Sequence, residues 1–374
     1  MIRDTAREVA RSEFAPRALK ADQTGEFPAE NIRKMAELGL LGIPVPQEYG
    51  GAGAGVLAFA LVMEEIASVC ASTALTLAAH TSLGTMPIID FGSEEQKRKY
   101  VPRLAAGEIL GSYGLTEPGA GSDAGGTQTK ARREGVGYLL DGAKCFCTNA
   151  SYAGTTIVTA KTDLAAQGSR GISAFILEKG MPGFTVGKKE DKLGMRASDT
   201  VQLRFEGVKV PAAQLLGKEN EGFHYFMKTL DSGRIGIGAL ALGIAQGALD
   251  KASAYAKQRK AFGKPISQLQ AVSNMIADMV VDVEASRHLI YQAARLKEEG
   301  RPYTREASIA KLFSSEAAMR VTDKAIQVLG GYGYMQEYEV ERFYRDAKLC
   351  EIGEGTSEIQ RIVIARETLG RISG

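Results

Sequence analysis

Tyr113-Gly-Leu-Thr-Glu-Pro-Gly-Ala-Gly-Ser-Asp-Ala124 is the stretch on which the fold turns. Its second half, Gly119-Ala-Gly121-Ser-Asp-Ala124, imitates a dinucleotide fingerprint, as does Gly53-Ala-Gly55-Val-Leu-Ala58. Such a fingerprint holds a pyrophosphate only where strand, tight turn and helix succeed one another. The later segment leads into strand-like sequence and the earlier one comes after a Pro-broken segment, so neither predicts a Rossmann unit. Beyond Ala124 the chain has short β-type runs separated by turns: Tyr138-Leu-Leu-Asp-Gly, Thr155-Thr-Ile-Val-Thr-Ala, Ile172-Ser-Ala-Phe-Ile-Leu, Phe184-Thr-Val and Val201-Gln-Leu-Arg-Phe.

Outward from this middle, both flanks have helical period. Towards the N-terminus, Ile32, Met35, Ala36 and Leu40 recur at helical spacing, and Phe59 to Val69 does so again. The Ile43-Pro-Val-Pro and Gly50 to Gly55 segments read as loop, and Ser93-Glu-Glu-Gln96 as a capping box. MIRDTAREVARSEF is charged and amphipathic, which predicts a first helix and not a signal peptide. After Gly217, helices are predicted around 221–259, 268–299, 303–329 and 357–369, broken at Gly263-Lys-Pro, Gly300-Arg-Pro and Gly330-Gly-Tyr-Gly. Gly236, Gly238, Gly243 and Gly247 cost helix propensity, so their expected use is close helix–helix approach. The expected fold is mainly α with a middle β domain: an N-terminal helical domain over 1–106, the β domain over 107–217 and a C-terminal helical bundle over 218–374.

The 374 residues carry 46 Lys+Arg against 44 Asp+Glu, a net charge of +2. So small an imbalance gives little long-range attraction to polyanions, and no run of like charges supplies a local patch, so neither nucleic acid nor an anionic membrane is an expected partner. The apolar stretches fall short of the ~20 residues that span a bilayer. Cys70, Cys145, Cys147 and Cys350 are too scattered for a disulfide scaffold, and His80, His224 and His288 make no ligand pair, so no metal is expected.

Within the central stretch, the Thr116 and Ser122 hydroxyls beside a Gly-rich turn suit close approach to a planar or phosphorylated ligand, or simply a turn at a domain edge. Lys144-Cys-Phe-Cys-Thr-Asn149 comes after an Asp141-Gly142 turn, and period two puts Phe146 and Thr148 on one side of a strand, able to cover a flat heterocycle or to pack in a core. Near the C-terminus Glu354 lies between two glycines, where a tight loop can aim a carboxylate into a cleft. Ser357-x-x-Gln360 equally reads as a capping box, and Glu351 and Glu358 are rival bases by chemistry alone. The pairs Glu64-Glu65, Glu94-Glu95 and Glu298-Glu299 read as solvated helix faces, and Gln258-Arg-Lys-Ala-Phe-Gly-Lys-Pro as a phosphate clamp or a charged helix end.

Gly114 to Asp123, Gln327-Val-Leu-Gly-Gly-Tyr-Gly-Tyr334 continuing through Glu337, Arg342 and Asp346, and Glu354-Gly-Thr-Ser-Glu-Ile-Gln-Arg361 together resemble the acyl-CoA dehydrogenase family over essentially the whole chain. The resemblance implies FAD held between the β domain and a C-terminal four-helix bundle. Tyr113, Leu115, Thr116, Gly121, Ser122, Phe146, Cys147 and Thr148 would line the flavin. A neighbouring subunit would add Arg259, Phe262, Gln270, Gln327, Val328, Gly330 and Gly331, while Thr356, Ser357 and Glu358 would close the site. Ser122, Asp231, Ser232, Gly233, Arg234 and Gly355 would lie on the acyl-CoA side, with Glu354 as the base. Implied partners are an acyl-CoA, electron-transfer flavoprotein and a homotetramer built as a pair of dimers, in bacterial cytosol or the mitochondrial matrix. Some relatives carry the base where Gly233 stands, and a glycine there leaves Glu354 without a rival at that position. Gly353 replaces a common Tyr before the base, which would widen the acyl pocket. An oxidase reacting with O2 and a non-catalytic flavin-binding relative are the alternatives that the same resemblance allows.

Overall fold

The structure, a computed structural model, describes residues 1–370. The N-terminal part is helical: α1 (Ile2–Val9), α2 (Ala15–Thr24), α3 (Ala29–Glu37), α4 (Gly55–Ala67), α5 (Ala71–Ala78), α6 (Met86–Phe91) and α7 (Glu94–Ala105). Wide π-type turns, Ala10–Phe14 and Ala79–Thr85, join α1 to α2 and α5 to α6. The Ser93 box forms as expected at the start of α7: Ser93 Oγ accepts from the Gln96 N–H at 3.2 Å, and Gln96 Oε1 accepts from the Ser93 N–H at 3.0 Å.

The middle of the chain builds an eight-stranded sheet from β1 (Leu110–Gly114), β2 (Lys130–Glu134), β3 (Gly137–Thr148), β4 (Ala153–Lys161), β5 (Ile172–Glu178), β6 (Phe184–Lys189), β7 (Thr200–Pro211) and β8 (Leu215–Leu216). The order is β6-β7-β3-β2-β4-β5-β8, with β1 lying parallel beside β4. The long pairs β3–β7 and β4–β5 are antiparallel, and Leu140, Val158, Phe175 and Leu203 pack in their core. The Gly-rich stretch after β1 opens no α-helix; it makes a single turn at Ala124–Gly126 and enters β2.

The C-terminal part comprises α8 (Gly222–Gln258), a small hairpin of β9 (Lys260–Ala261) and β10 (Lys264–Pro265), α9 (Gln270–Glu298), α10 (Thr304–Leu329), α11 (Val340–Ile352) and α12 (Ser357–Leu369). The α11 helix is not among the stretches that periodicity singles out. The small residues of α8 act as expected: a Cβ at Gly243 would collide with the Glu64 carbonyl on α4, and one at Gly247 with the Ser68 carbonyl and the Phe343 ring. That close approach merges α1, α4 and the C-terminal helices into one hydrophobic core around Met63, Leu240 and Ile290. Among the described residues no helix is long and apolar enough to cross a membrane.

Two expectations fail here. Glu64 and Glu65 are buried, not solvated: Glu65 takes Arg3 and Arg7 at 2.7 and 2.8 Å, and Glu64 takes Arg287 at 2.9 Å and the Tyr291 hydroxyl at 2.5 Å. Partners 58 to 227 residues away, which no local pattern announces, compensate these carboxylates. The Ser357–Gln360 box does not form either, because Thr356 is the cap, its Oγ1 accepting from the Ile359 N–H, and the Gln360 amide turns to the Gly355 carbonyl at 2.8 Å.

Candidate active site

The loop that leaves β1 is pinned from below by a buried ion pair. Lys144 on β3 is fully enclosed, and its Nζ donates to Glu117 Oε1 at 2.7 Å, Thr159 Oγ1 at 3.0 Å, Thr127 Oγ1 at 3.1 Å and the Leu115 carbonyl at 3.2 Å. Glu117 also accepts from the Thr127 hydroxyl and from the Gln128 and Thr129 N–H groups. Burial opposes the Glu117 charge, but the Lys144 charge and these donors win, holding the carboxyl down at about 2. Both ends of the Gly-rich turn are thereby fixed, with Thr116 tied to the next strand through its carbonyl, which accepts from the Cys145 N–H at 2.8 Å.

On β3 the register against β7 slips between Lys144 and Cys147, so two residues oppose one and the strand bulges. Phe146 sits at the bulge with φ 57°, a conformation rare for an aromatic residue, and is 66% exposed. The bulge turns the ring out of the sheet, so that Phe146 and Thr148 line the same cavity. Cys147 goes the other way. Its side chain is buried in the sheet core beside Val201 and its thiol is pushed up to about 12 by burial, so it does not line the cavity as expected.

That cavity, about 870 Å³, brings together Tyr113, Leu115, Thr116, Gly121, Ser122, Phe146, Thr148, Arg234, Glu354, Gly355 and Thr356. Of the three rival carboxylates only Glu354 lines it; Glu351 is paired with Lys348 at 2.5 Å and Glu358 is exposed. Glu354 has φ 53° and Gly355 φ 95°, the tight loop expected from the flanking glycines. The residue is half-buried, its Oε2 is shielded from solvent, and that oxygen has no hydrogen-bond partner. Burial pushes the carboxyl up to about 7, against the pull of Lys311 and Arg234. Gly233 on α8 lies directly beneath: a Cβ there would collide with Glu354 Oε2. The Tyr113 hydroxyl is likewise buried and unpartnered, and burial together with Glu354 keeps it protonated.

Other expected residues stand outside this cavity. Asp231 and Ser232 do not face it: Asp231 binds Arg234 at 2.5 Å and Thr304 at 2.8 Å, and Ser232 receives Lys297, so they brace α8 from behind. Ser357 is buried and Glu358 exposed, neither on the cavity wall. Arg259, Val328, Gly330 and Gly331 gather around a second, more open cavity of about 470 Å³ with Tyr255 and Tyr332. Phe262 is 90% exposed at the tip of the β9–β10 hairpin, and Gln270 and Gln327 are also on the surface. Sequence reading does not single out Lys144, Glu117, Lys311 or Gln360 as site builders. For Lys311 a signal exists, since Ala307, Ala310, Ser314 and Ala318 put position 311 on the buried face of α10.

An exposed aromatic ring held at a strained bulge, the Thr116 and Thr148 hydroxyls and an unpartnered carboxyl line one largely apolar cavity, a donor set that fits a flat redox heterocycle. Three family models match the chain: acyl-CoA dehydrogenase N-terminal domain over 1–108, middle domain over 112–208 and C-terminal domain over 220–369. The chain belongs to the acyl-CoA dehydrogenase family. A probable acyl-CoA dehydrogenase of Bacillus subtilis is 54% identical over 369 residues, 99% of this chain and 97% of the relative. A chain solved in work on the electron transferring flavoprotein of Acidaminococcus fermentans superposes with TM-score 0.97 at 50% identity, covering 99% of this chain and 97% of that one. Butyryl-CoA dehydrogenase from Megasphaera elsdenii superposes with TM-score 0.97 at 47% identity, covering 98% and 97%. Acyl-CoA dehydrogenases are FAD-dependent oxidoreductases acting on CH–CH bonds, and the residues around Phe146 fit that cofactor.

Proposed function

We propose that this acyl-CoA dehydrogenase converts a short acyl-CoA to the trans-2-enoyl-CoA, with Glu354 as the base that takes the α-proton. The observation that carries the reading is the shielded, unpartnered Glu354 Oε2 facing the cavity. An exposed glutamate, near 4.3, is too weak a base for a carbon acid; burial that lifts it to about 7 brings it closer, and a thioester that expels the remaining water would lift it further. Phe146, Thr116 and Thr148 would hold FAD, which would supply a two-electron acceptor for the hydride of the β-carbon. Arg234 and the Tyr113 phenol flank Glu354, and burial together with Glu354 keeps the phenol protonated. The Glu354 backbone N–H is available to the thioester carbonyl, where charge develops as the proton leaves.

The butyryl-CoA dehydrogenase and the electron transferring flavoprotein named among the similar structures support a short acyl chain and that flavoprotein as the electron acceptor. The second cavity supports a homotetramer in which a neighbouring copy presents Arg259, Phe262 and Gly330 to the cofactor bound in the first. The test is Glu354→Gln, assayed anaerobically with butyryl-CoA. FAD stays bound and flavin bleaching falls by about 10³-fold, within the range of a lost general base. Bleaching at near the parent rate overturns the assignment, and fast reoxidation of the reduced parent enzyme by air with release of peroxide would replace the dehydrogenase reading with an oxidase.

A further inference from the structure

Nothing bonded to the Glu354 carboxyl holds it in place, so its position must be set through the backbone. Two buried donors converge there. Lys311, wholly enclosed on α10, donates from Nζ to the Gly355 carbonyl at 2.7 Å, and Gln360 on α12 donates from Nε2 to the same oxygen at 2.8 Å. Ser315, one turn along α10 from Lys311, anchors the preceding helix end through the Cys350 carbonyl at 2.8 Å. The Glu354–Gly355 segment, left-handed at both residues, is therefore clamped from two helices, and one of the clamps carries a positive charge.

We infer that Lys311 is a positioning residue for the base: its ammonium fixes the Gly355 carbonyl and, through the same contact, keeps a positive charge beside the Glu354 carboxylate. The inference rests on Glu354 being the base. The groups that face Glu354 are Lys311 from α10, Arg234 from α8 and Tyr113 from β1, and those that face Lys311 include Cys350 and Glu351 from α11. The Arg234 charge is already committed to Asp231. Of the two cations that face Glu354, Lys311 is the one with no carboxylate within salt-bridge distance among the described residues, so its charge is not spent on an ion pair. Burial lowers Lys311 to about 8, still protonated where the base must work.

The experiment compares flavin-loaded Lys311→Met, Lys311→Gln and Lys311→Arg by the pH dependence of anaerobic flavin reduction, alongside infrared titration of the Glu354 carboxyl band, identified by its loss in Glu354→Gln. Removing the charge raises the base's pKa, so the acidic limb of the rate moves to higher pH. A shift of about one unit is expected in Lys311→Met and Lys311→Gln, an added loss of about tenfold at pH 6, while Lys311→Arg keeps the parent limb. The Gln variant retains an N–H for the carbonyl and recovers part of the plateau rate that Met loses. An unmoved limb and carboxyl band in both neutral variants overturn the inference. If Lys311→Met does not fold, Gln360→Met decides with Lys311→Gln: loss of the neutral clamp lowers the plateau without moving the limb, and an equal shift in both variants overturns the role of the charge. Were Glu354→Gln itself to bleach normally, the base assignment would fail, an outcome separate from either.

Discussion

The two cavities are built by opposite logic. Around Glu354, β1, α8 and the loop after α11 of the same chain surround the carboxyl, and buried side chains from α10 and α12 hold that loop. Around Arg259 the end of α8, the end of α10 and the turn after it leave a more open cavity beside a hairpin whose tip, Phe262, is almost fully exposed at φ 51°. A fold does not maintain a strained, exposed aromatic for its own stability. On the proposed function, the inner region carries the proton transfer and the outer one is half of a contact between copies. Substitutions inside should change chemistry or folding at any protein concentration, whereas substitutions outside should act through assembly and cofactor retention.

The sharpest break of that contrast lies at Glu117 and Lys144. Glu117→Gln leaves a buried ammonium without its counter-charge, which costs about 3–5 kcal/mol, read as a fall in urea midpoint. The ammonium left unpaired is the group that holds the Leu115 carbonyl and the Thr127 hydroxyl, so the loop loosens and FAD is expected to leave on gel filtration even at high protein concentration. The pH dependence has a definite sign. A carboxyl held at about 2 when folded and near 4.5 when unfolded contributes stability that is complete above about 4.5 and lost as pH falls towards 2. Parent enzyme should therefore lose stability over that window, and Glu117→Gln should lose less. An unchanged midpoint with FAD retained would show that the pair does not hold the loop.

The same pair shows why part of this site is legible in the sequence and part is not. The three-part order, the strands, the box at Ser93 and the glycine-flanked Glu354 come from local period and turn chemistry, and each appears in the structure. Lys144 looks in sequence like an ordinary surface lysine, and for Lys311 period gives the buried face but not the partner, because their partners are 27 and 44 residues away. Glu64 and Glu65 mislead for the same reason: Arg287 comes from another part of the chain. Strict alternation on β3 would put Phe146 opposite Cys147 in either register; the bulge that turns the ring outward is a tertiary event, written in the pairing with β7. Charge compensation and strand irregularity are set by contacts between distant segments, and period reports neither.

On the outer surface a smaller effect is expected. Arg259 is exposed and its guanidinium lies 5.7 Å from the Tyr332 ring, a contact worth about 0.5–1 kcal/mol at an exposed site. Arg259→Ala should leave the melting temperature of dilute protein nearly unchanged, yet weaken FAD retention about tenfold on dilution, a deficit that raising the protein concentration reverses. Retention independent of concentration in both proteins would refute the half-contact reading of this cavity. The acidic limb of flavin reduction should not move, since Arg259 does not face Glu354.

The smallest effect on the fold, and the most informative about substrate, is expected at Gly353. Its φ of −66° and ψ of 152° are open to any residue, so the backbone does not demand glycine. A Cβ built there meets only Leu349, whose carbonyl would lie 3.4 Å away and whose side chain 3.9 Å, and the position is on the wall of the Glu354 cavity. Space beside the base is therefore open because the side chain is missing, and an acyl group with a branch near the reacting carbons can use it. Gly353→Tyr is expected to change stability by less than about 0.5 kcal/mol, as for a substitution at an unstrained site with room. It should lower the rate with isobutyryl-CoA relative to butyryl-CoA by about tenfold, the order of one or two methylene contacts in a hydrophobic pocket. Equal losses for both thioesters would mean that the ring blocks entry and does not trim the branch, and the acyl end of the cavity would then have to be sought deeper, among Leu75, Ala79 and Leu240.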